Sequence, residues 1–352
     1  MGFYQAMQLS AANLKPLIKN AESKETKNKY IAALILKSIL CLLFCTIVVI
    51  SFGKVFGEEN NVVGVVTVIS LLNFRFSNLD FKVRQAALTI VGIFGVLSIS
   101  PYIASISNPF LGFIINFISI IGILILTCHN VRLCNHSILV LSYFLLYGYK
   151  VENTEILINR IIGLIFGGIL VASIFYIKQR KIEFKNTFID IINDVDFNTE
   201  RTKWQLKFAF VTTSAIMIGE FLHIPRAMWI GIACMSVFHP DKSQLQIRYK
   251  QRMLYMVLGC LMYMSIYFLI PQQFRGLIGL IGGVMIGFSG TYKWQTVFNA
   301  FGALSAATPI LGVGGAIIFR ILNNVFGALY SKGFDYIINF IDNKEFANVN
   351  EA

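Results

Sequence analysis

LINRIIGLIFGGILVASIFYI, residues 157–177, carries one charged side chain, Arg160, in an otherwise uncharged run. A helix of that length rises ~30 Å, the thickness of a bilayer's hydrocarbon core. Similar apolar blocks recur at 34–53, 61–74, 86–104, 109–127, 134–149, 205–222, 227–239, 253–270, 274–290, 295–311 and 313–331. Blocks 61–74 and 227–239 are short, and read as tilted segments or as re-entrant elements lining a cavity. In lipid every backbone polar group must be bonded internally, and these lengths suit helices rather than barrel strands. The chain therefore reads as an all-α polytopic membrane protein with about twelve transmembrane helices.

Composition points the same way. Over 352 residues, 56% are hydrophobic and 14% charged, with a mean hydropathy of +0.68. Soluble domains carry about 25% charged residues, so soluble enzymes and nucleic-acid-binding modules are excluded as readings. The net charge of +12 is a matter of topology. With the N-terminus inside and twelve alternations, 24 of the 30 Lys and Arg residues fall on the inner side. That is the positive-inside pattern, with N- and C-termini cytoplasmic. Residues 1–33 form a polar cytoplasmic tail, too long and polar for the charged start of a cleaved signal peptide. The six cysteines lie in or beside apolar blocks and read as buried hydrophobes rather than a disulfide framework.

The sequence repeats itself. Asn159-Arg160-Ile161-Ile162-Gly163-Leu164-Ile165-Phe166-Gly167 is echoed by Phe319-Arg320-Ile321-Leu322-Asn323-Asn324-Val325-Phe326-Gly327. Each short block is followed by a basic loop containing Ser-x-Leu, at Ser77 and Ser243, and then by a glycine-bearing block with Gly92 or Gly259. Residues 34–177 and 205–331 thus read as two six-helix membrane repeats. An even number of spans makes them parallel, with the expected ligand path between them. Residues 178–204 form a charged cytoplasmic linker with a short helix near 184–192, and 332–352 a cytoplasmic C-terminal tail.

Arg160 and Arg320 stand inside their blocks. A guanidinium keeps its charge, and placing it in hydrocarbon costs at least ~2.5–3.5 kcal/mol, so it must face a wet path, find partners, or snorkel to the interface. At matching places in two repeats, the pair would suit an organic anion, or would fix helix packing by bonding carbonyls. The inner loops add Arg84 in the first half and Arg248, Lys250 and Arg252 in the second, able to recruit anions or to hold membrane lipid. No Asp or Glu sits in the middle of a block, so an intramembrane acid for proton coupling or catalysis is not evident, and no enzyme is expected. Gly163, Gly167, Gly259 and Gly327 are candidates for helix packing or gating. Cys128-His129 with Cys134-x-His136 fits no zinc spacing, and Met253, Met256, Cys260 and Met264 on one helix face read as packing, so neither metal nor cofactor is expected.

The paired Arg-Ile-x-x-x-x-Phe-Gly segments, and the short span leading through a basic loop to a glycine-bearing span, resemble the fusaric acid resistance-like transporter family. That family is related to aromatic acid exporters and is similar to plant aluminium-activated malate channels. The resemblance is clearest over residues 205–331, with Trp229, Arg252, Gly259 and Arg320 to Gly327, and fainter over 34–177. It implies efflux of small organic or aromatic carboxylate anions from a bacterial inner membrane, or a channel of the same architecture, and a homo-oligomer as a further partner. A membrane scaffold that transports nothing is the third reading. The family's frequent arginine at the loop-to-helix junction matches Arg252 and, in the first half, Arg84, and its last-span arginine matches Arg320 and Arg160.

Overall fold

The computed structural model describes residues 1–133 and 135–351, with the side chains of all of these except Arg132, Lys242, Asn339 and residues 341–351. Among the described residues every regular element is helical. In chain order these are α1 (Phe3–Gln8), α2 (Ala11–Lys19), α3 (Lys24–Phe56), α4 (Asn61–Phe74), α5 (Val83–Ile106), α6 (Pro109–Thr127) and α7 (His136–Gly148). There follow α8 (Thr154–Gln179), α9 (Phe188–Asn193), α10 (Glu200–Phe221), α11 (Met228–Val237), α12 (Lys242–Leu269), α13 (Ile278–Phe288) and α14 (Tyr292–Glu351).

Each apolar block coincides with a helical stretch. Among the described residues, six helices are long and apolar enough to cross a membrane: α3, α5, α6, α8, residues 243–269 of α12 and residues 292–338 of α14. The last of these joins two expected spans, with Gly312 between them at φ 68°, ψ 163°. An L side chain is disfavoured there, and a helix cannot continue through it, so glycine allows the break that lets one apolar run become two stretches. The linker helix is α9, beginning a few residues later than 184 because Thr187 and Asp190 form a capping box at its start.

The chain divides into two compact units. The first is made of residues 1–47 and 246–326. Here the N-terminal segment is not a bare polar tail: Ala6, Ala11 and Leu14 of α1 and α2 are buried with Tyr30, Ala33 and Leu34 of α3. Helices α3, α12, α13 and the first stretch of α14 pack closely through small residues. A Cβ at Gly259 would lie 2.5 Å from the carbonyl oxygen of Val297, and one at Gly282 would lie 3.0 Å from that of Phe298. Backbone approaches of this kind replace hydrophobic drive inside lipid.

The second unit comprises residues 48–245 and 327–352. The short apolar helices α4, α7 and α11 form its interior. Most residues of α4 are buried, including Val63, Val66, Thr67 and Phe74; α7 packs against both α4 and α11, and in α11 eight of ten residues are buried. Short apolar helices enclosed by protein need not reach across the full hydrocarbon thickness, which accounts for the shortness of 61–74 and 227–239. The longer α5, α6, α8 and α10 pack around them. Asn135, fully buried, ties the loops at one end: its Oδ1 accepts from Asn73 Nδ2 and Ser77 Oγ, at 3.1 and 2.6 Å, and its Nδ2 donates to the carbonyls of Asn78 and Thr127.

Candidate functional site

The arginines selected from sequence have four different environments. Arg160, on α8 in the second unit, is buried. Its Nε donates to Asn60 Oδ1 at 3.0 Å, Nη1 to the Tyr149 carbonyl at 2.5 Å, and Nη2 to the Glu59 carbonyl at 3.4 Å. Asn60 stands just before α4 and also donates to the Phe56 and Ile156 carbonyls, so it is oriented with its oxygen toward the arginine. Three neutral oxygens surround the charge. Arg84, its companion in the first half, is exposed at the start of α5.

In the first unit the arrangement differs. Arg252 and Arg320 are both buried, each 4% exposed. Arg252 Nε and Nη2 both donate to Asn324 Oδ1, at 3.0 and 2.7 Å. Asn324 in turn gives its Nδ2 to the Arg320 carbonyl one helical turn earlier, at 2.7 Å, which fixes the amide with its oxygen facing Arg252. Both guanidiniums lie within electrostatic reach of the Cys260 thiol, on the same helix as Arg252. A guanidinium has five N–H donors. Those of Arg252 converge on a single amide oxygen, and its other donors make no hydrogen bond among the described residues.

The charge balance of this neighbourhood is one-sided. Residues 246–326 contain Arg248, Lys250, Arg252, Arg275, Lys293 and Arg320, and no Asp or Glu. The unit's acidic residues, Glu22 and Glu25, are both exposed. Arg248 lies over the Tyr292 ring at 5.2 Å, a cation–π contact, and Lys250 is exposed. A buried permanent charge with a neutral partner is stable only if a counter-charge arrives or the desolvation is tolerated.

The glycines serve close packing. A Cβ at Gly163 would meet Phe56 and Val63 at 3.2 Å, one at Gly167 would meet Thr67 Oγ1 at 2.3 Å, and one at Gly327 would meet the Ile230 carbonyl at 2.6 Å. Of the cysteine–histidine group, Cys134 lies outside the described residues. His129 faces Arg201 and Asp194, and His136 packs edge-on against Trp204. Sequence reasoning did not single out Asn60 and Asn324. An amide within an apolar helix, four residues after an arginine at Asn324, was the available signal, since a polar side chain in such a block needs a partner.

The fold and these buried cations define a multi-pass, all-helical membrane protein. Residues 214–331 match the family described as fusaric acid resistance protein-like, in agreement with the resemblance drawn from the motifs. That segment carries Arg252, Gly259, Cys260, Arg320 and Asn324, and the family match indicates a membrane transporter. No curated protein and no solved structure matches the chain.

Proposed function

We propose that the protein exports small organic anions, aromatic carboxylates among them, across a bacterial inner membrane, with Arg252 and Arg320 in the anion path. The observation that carries this reading is a pair of buried guanidiniums, Arg252 bonded to Asn324 and Arg320 one helical turn before that asparagine, in a stretch of 81 residues without a carboxylate (246–326). A carboxylate suits this chemistry: it accepts two parallel N–H bonds from a guanidinium and carries the opposite charge. Two parallel six-helix repeats, with N- and C-termini cytoplasmic, remain the arrangement supported by the sequence echo and by the distribution of basic residues. In this reading the repeats have diverged: the second keeps a buried pair of arginines, whereas in the first Arg160 is held by loop oxygens and Arg84 faces outward.

The test uses proteoliposomes loaded with a panel of labelled carboxylates, comparing the native protein with Arg320→Gln and Arg160→Gln. Loss of release in Arg320→Gln, with Arg160→Gln retaining it, is expected. Unchanged release from Arg320→Gln would remove the cluster from the path. Saturable flux would mark a carrier, and large voltage-dependent currents a channel.

A further inference from the structure

The second unit contains a cavity of about 790 Å³ between α5 and α6 that no arginine lines. Its walls are mainly aliphatic, and the hydroxyls among the described lining residues are those of Thr89, Ser100 and Ser119. The space is created by absent side chains: a Cβ added at Gly92 of α5 or Gly122 of α6 would meet nothing within 4 Å. These two glycines therefore differ from those that bring backbones together, because they leave a trough. The trough runs from Gln85 to Ser100 along α5, ~22 Å at helical rise, longer than one leaflet of a hydrocarbon core that is ~30 Å thick. Its rim is open, with Leu88 73% and Ile118 62% exposed.

One end is built differently. Phe188 and Ile189 of α9 close the trough, and α9 is stitched to the start of α5. The Phe188 N–H donates to Gln85 Oε1 at 2.8 Å, the Lys82 N–H donates to the Asn186 carbonyl at 2.9 Å, and the Phe81 and Phe188 rings meet at 6.3 Å. Ile189 and Ile192 are exposed, giving α9 an apolar face typical of a helix lying at the membrane interface. At this end Lys82 and Arg84 extend the helical rows of Gln85 and Leu88 by one turn. Counting the loop 75–84 and the linker 178–190, seven basic side chains face three acidic ones, Asp80, Glu183 and Asp190. Asp190 accepts from Thr187 in the α9 cap and lies within electrostatic reach of Lys82, so the net positive charge of this end rests on the excess of basic residues.

We infer that the α5–α6 trough holds one acyl chain of an anionic phospholipid, whose headgroup rests against Lys82 and Arg84 above α9. The shape selects the occupant. An open-sided apolar trough of acyl-chain length suits a lipid tail, and its cationic end matches a phosphate headgroup. The assignment uses none of the residues of the Arg252 cluster and does not depend on the transport reading.

The experiment is native mass spectrometry of the full chain in mild detergent, titrated with phosphatidylglycerol or phosphatidylcholine. Gly92→Leu/Gly122→Leu fills the trough where the backbone leaves room, and is expected to lower retention of both lipids roughly tenfold. Lys82→Gln/Arg84→Gln is expected to abolish the preference for phosphatidylglycerol, a change of roughly tenfold, and to leave phosphatidylcholine binding unchanged. Thermal unfolding of both variants at the native temperature shows that they are folded. Native-like lipid retention by the filled variant would overturn the assignment. So would a filled variant that loses dimer mass while retaining lipid, because the trough would then be an interface between copies. Displacement of bound phosphatidylglycerol by benzoate would also overturn it, giving the trough to carboxylate cargo.

Discussion

Replacing Arg252 by Met separates an anion site from a structural ion more sharply than any other change in this protein. The side chain is 4% exposed and donates two hydrogen bonds to one oxygen of Asn324. Removing the charge relieves a burial cost of at least ~2.5–3.5 kcal/mol. It also forfeits a charge-assisted interaction of ~1.5–3 kcal/mol with Asn324. The two oppose each other, so the folded state should change by no more than about 2 kcal/mol in either direction. Methionine fills much of the same volume without strain. Transport responds differently, because a guanidinium–carboxylate contact worth ~1.5–3 kcal/mol corresponds to roughly a tenfold to hundredfold loss of flux. The assay pairs release of labelled benzoate from proteoliposomes, normalised to folded protein, with thermal unfolding of the same preparation. A large drop in unfolding temperature with undiminished flux per folded molecule would refute the reasoning and make Arg252 a packing element.

Three further outcomes follow from the packing. Gly259→Val should destabilise by about 1–3 kcal/mol, because its Cβ would press on the Val297 backbone at 2.5 Å, whereas Gly92→Ala, with open space around it, should be neutral or stabilising; thermal unfolding checks both. Arg160→Met leaves the Asn60 and Tyr149 oxygens without their donor, and should cost ~1–3 kcal/mol in unfolding free energy while release per folded molecule stays native. Gly312→Ala places a Cβ at φ 68°, ψ 163°, and should lower stability by ~1–3 kcal/mol or straighten α14, which circular dichroism and unfolding would register together.

Much of this architecture was open to inspection before any coordinates. Hydrophobic runs of helical length located every apolar helix, and the echo of Arg160 in Arg320 marked two buried charges, since a guanidinium in such a run cannot be accidental. The motif through Arg252 and Gly259 pointed to the family that residues 214–331 match. Other features escaped because they depend on contacts distant in sequence. Residues 61–74 and 227–239 were seen to be short, but only packing shows that they are interior helices rather than strained spans. Carbonyl bonding was one of the readings open for Arg160, but nothing in the sequence named Asn60 and the Tyr149 carbonyl as its partners, or Asn324 as the partner of Arg252.

Taken alone, the chain determined its solvent and the length and chemistry of its helices, because burying backbone in lipid constrains local composition directly. Which groups hydrogen-bond the buried charges was settled by tertiary structure. Asn60 lies 100 residues from Arg160, and Asn324 lies 72 residues from Arg252. Hydrogen bonds reach only about 3 Å, so a partner is identified by where the helices bring it and not by its place in the sequence.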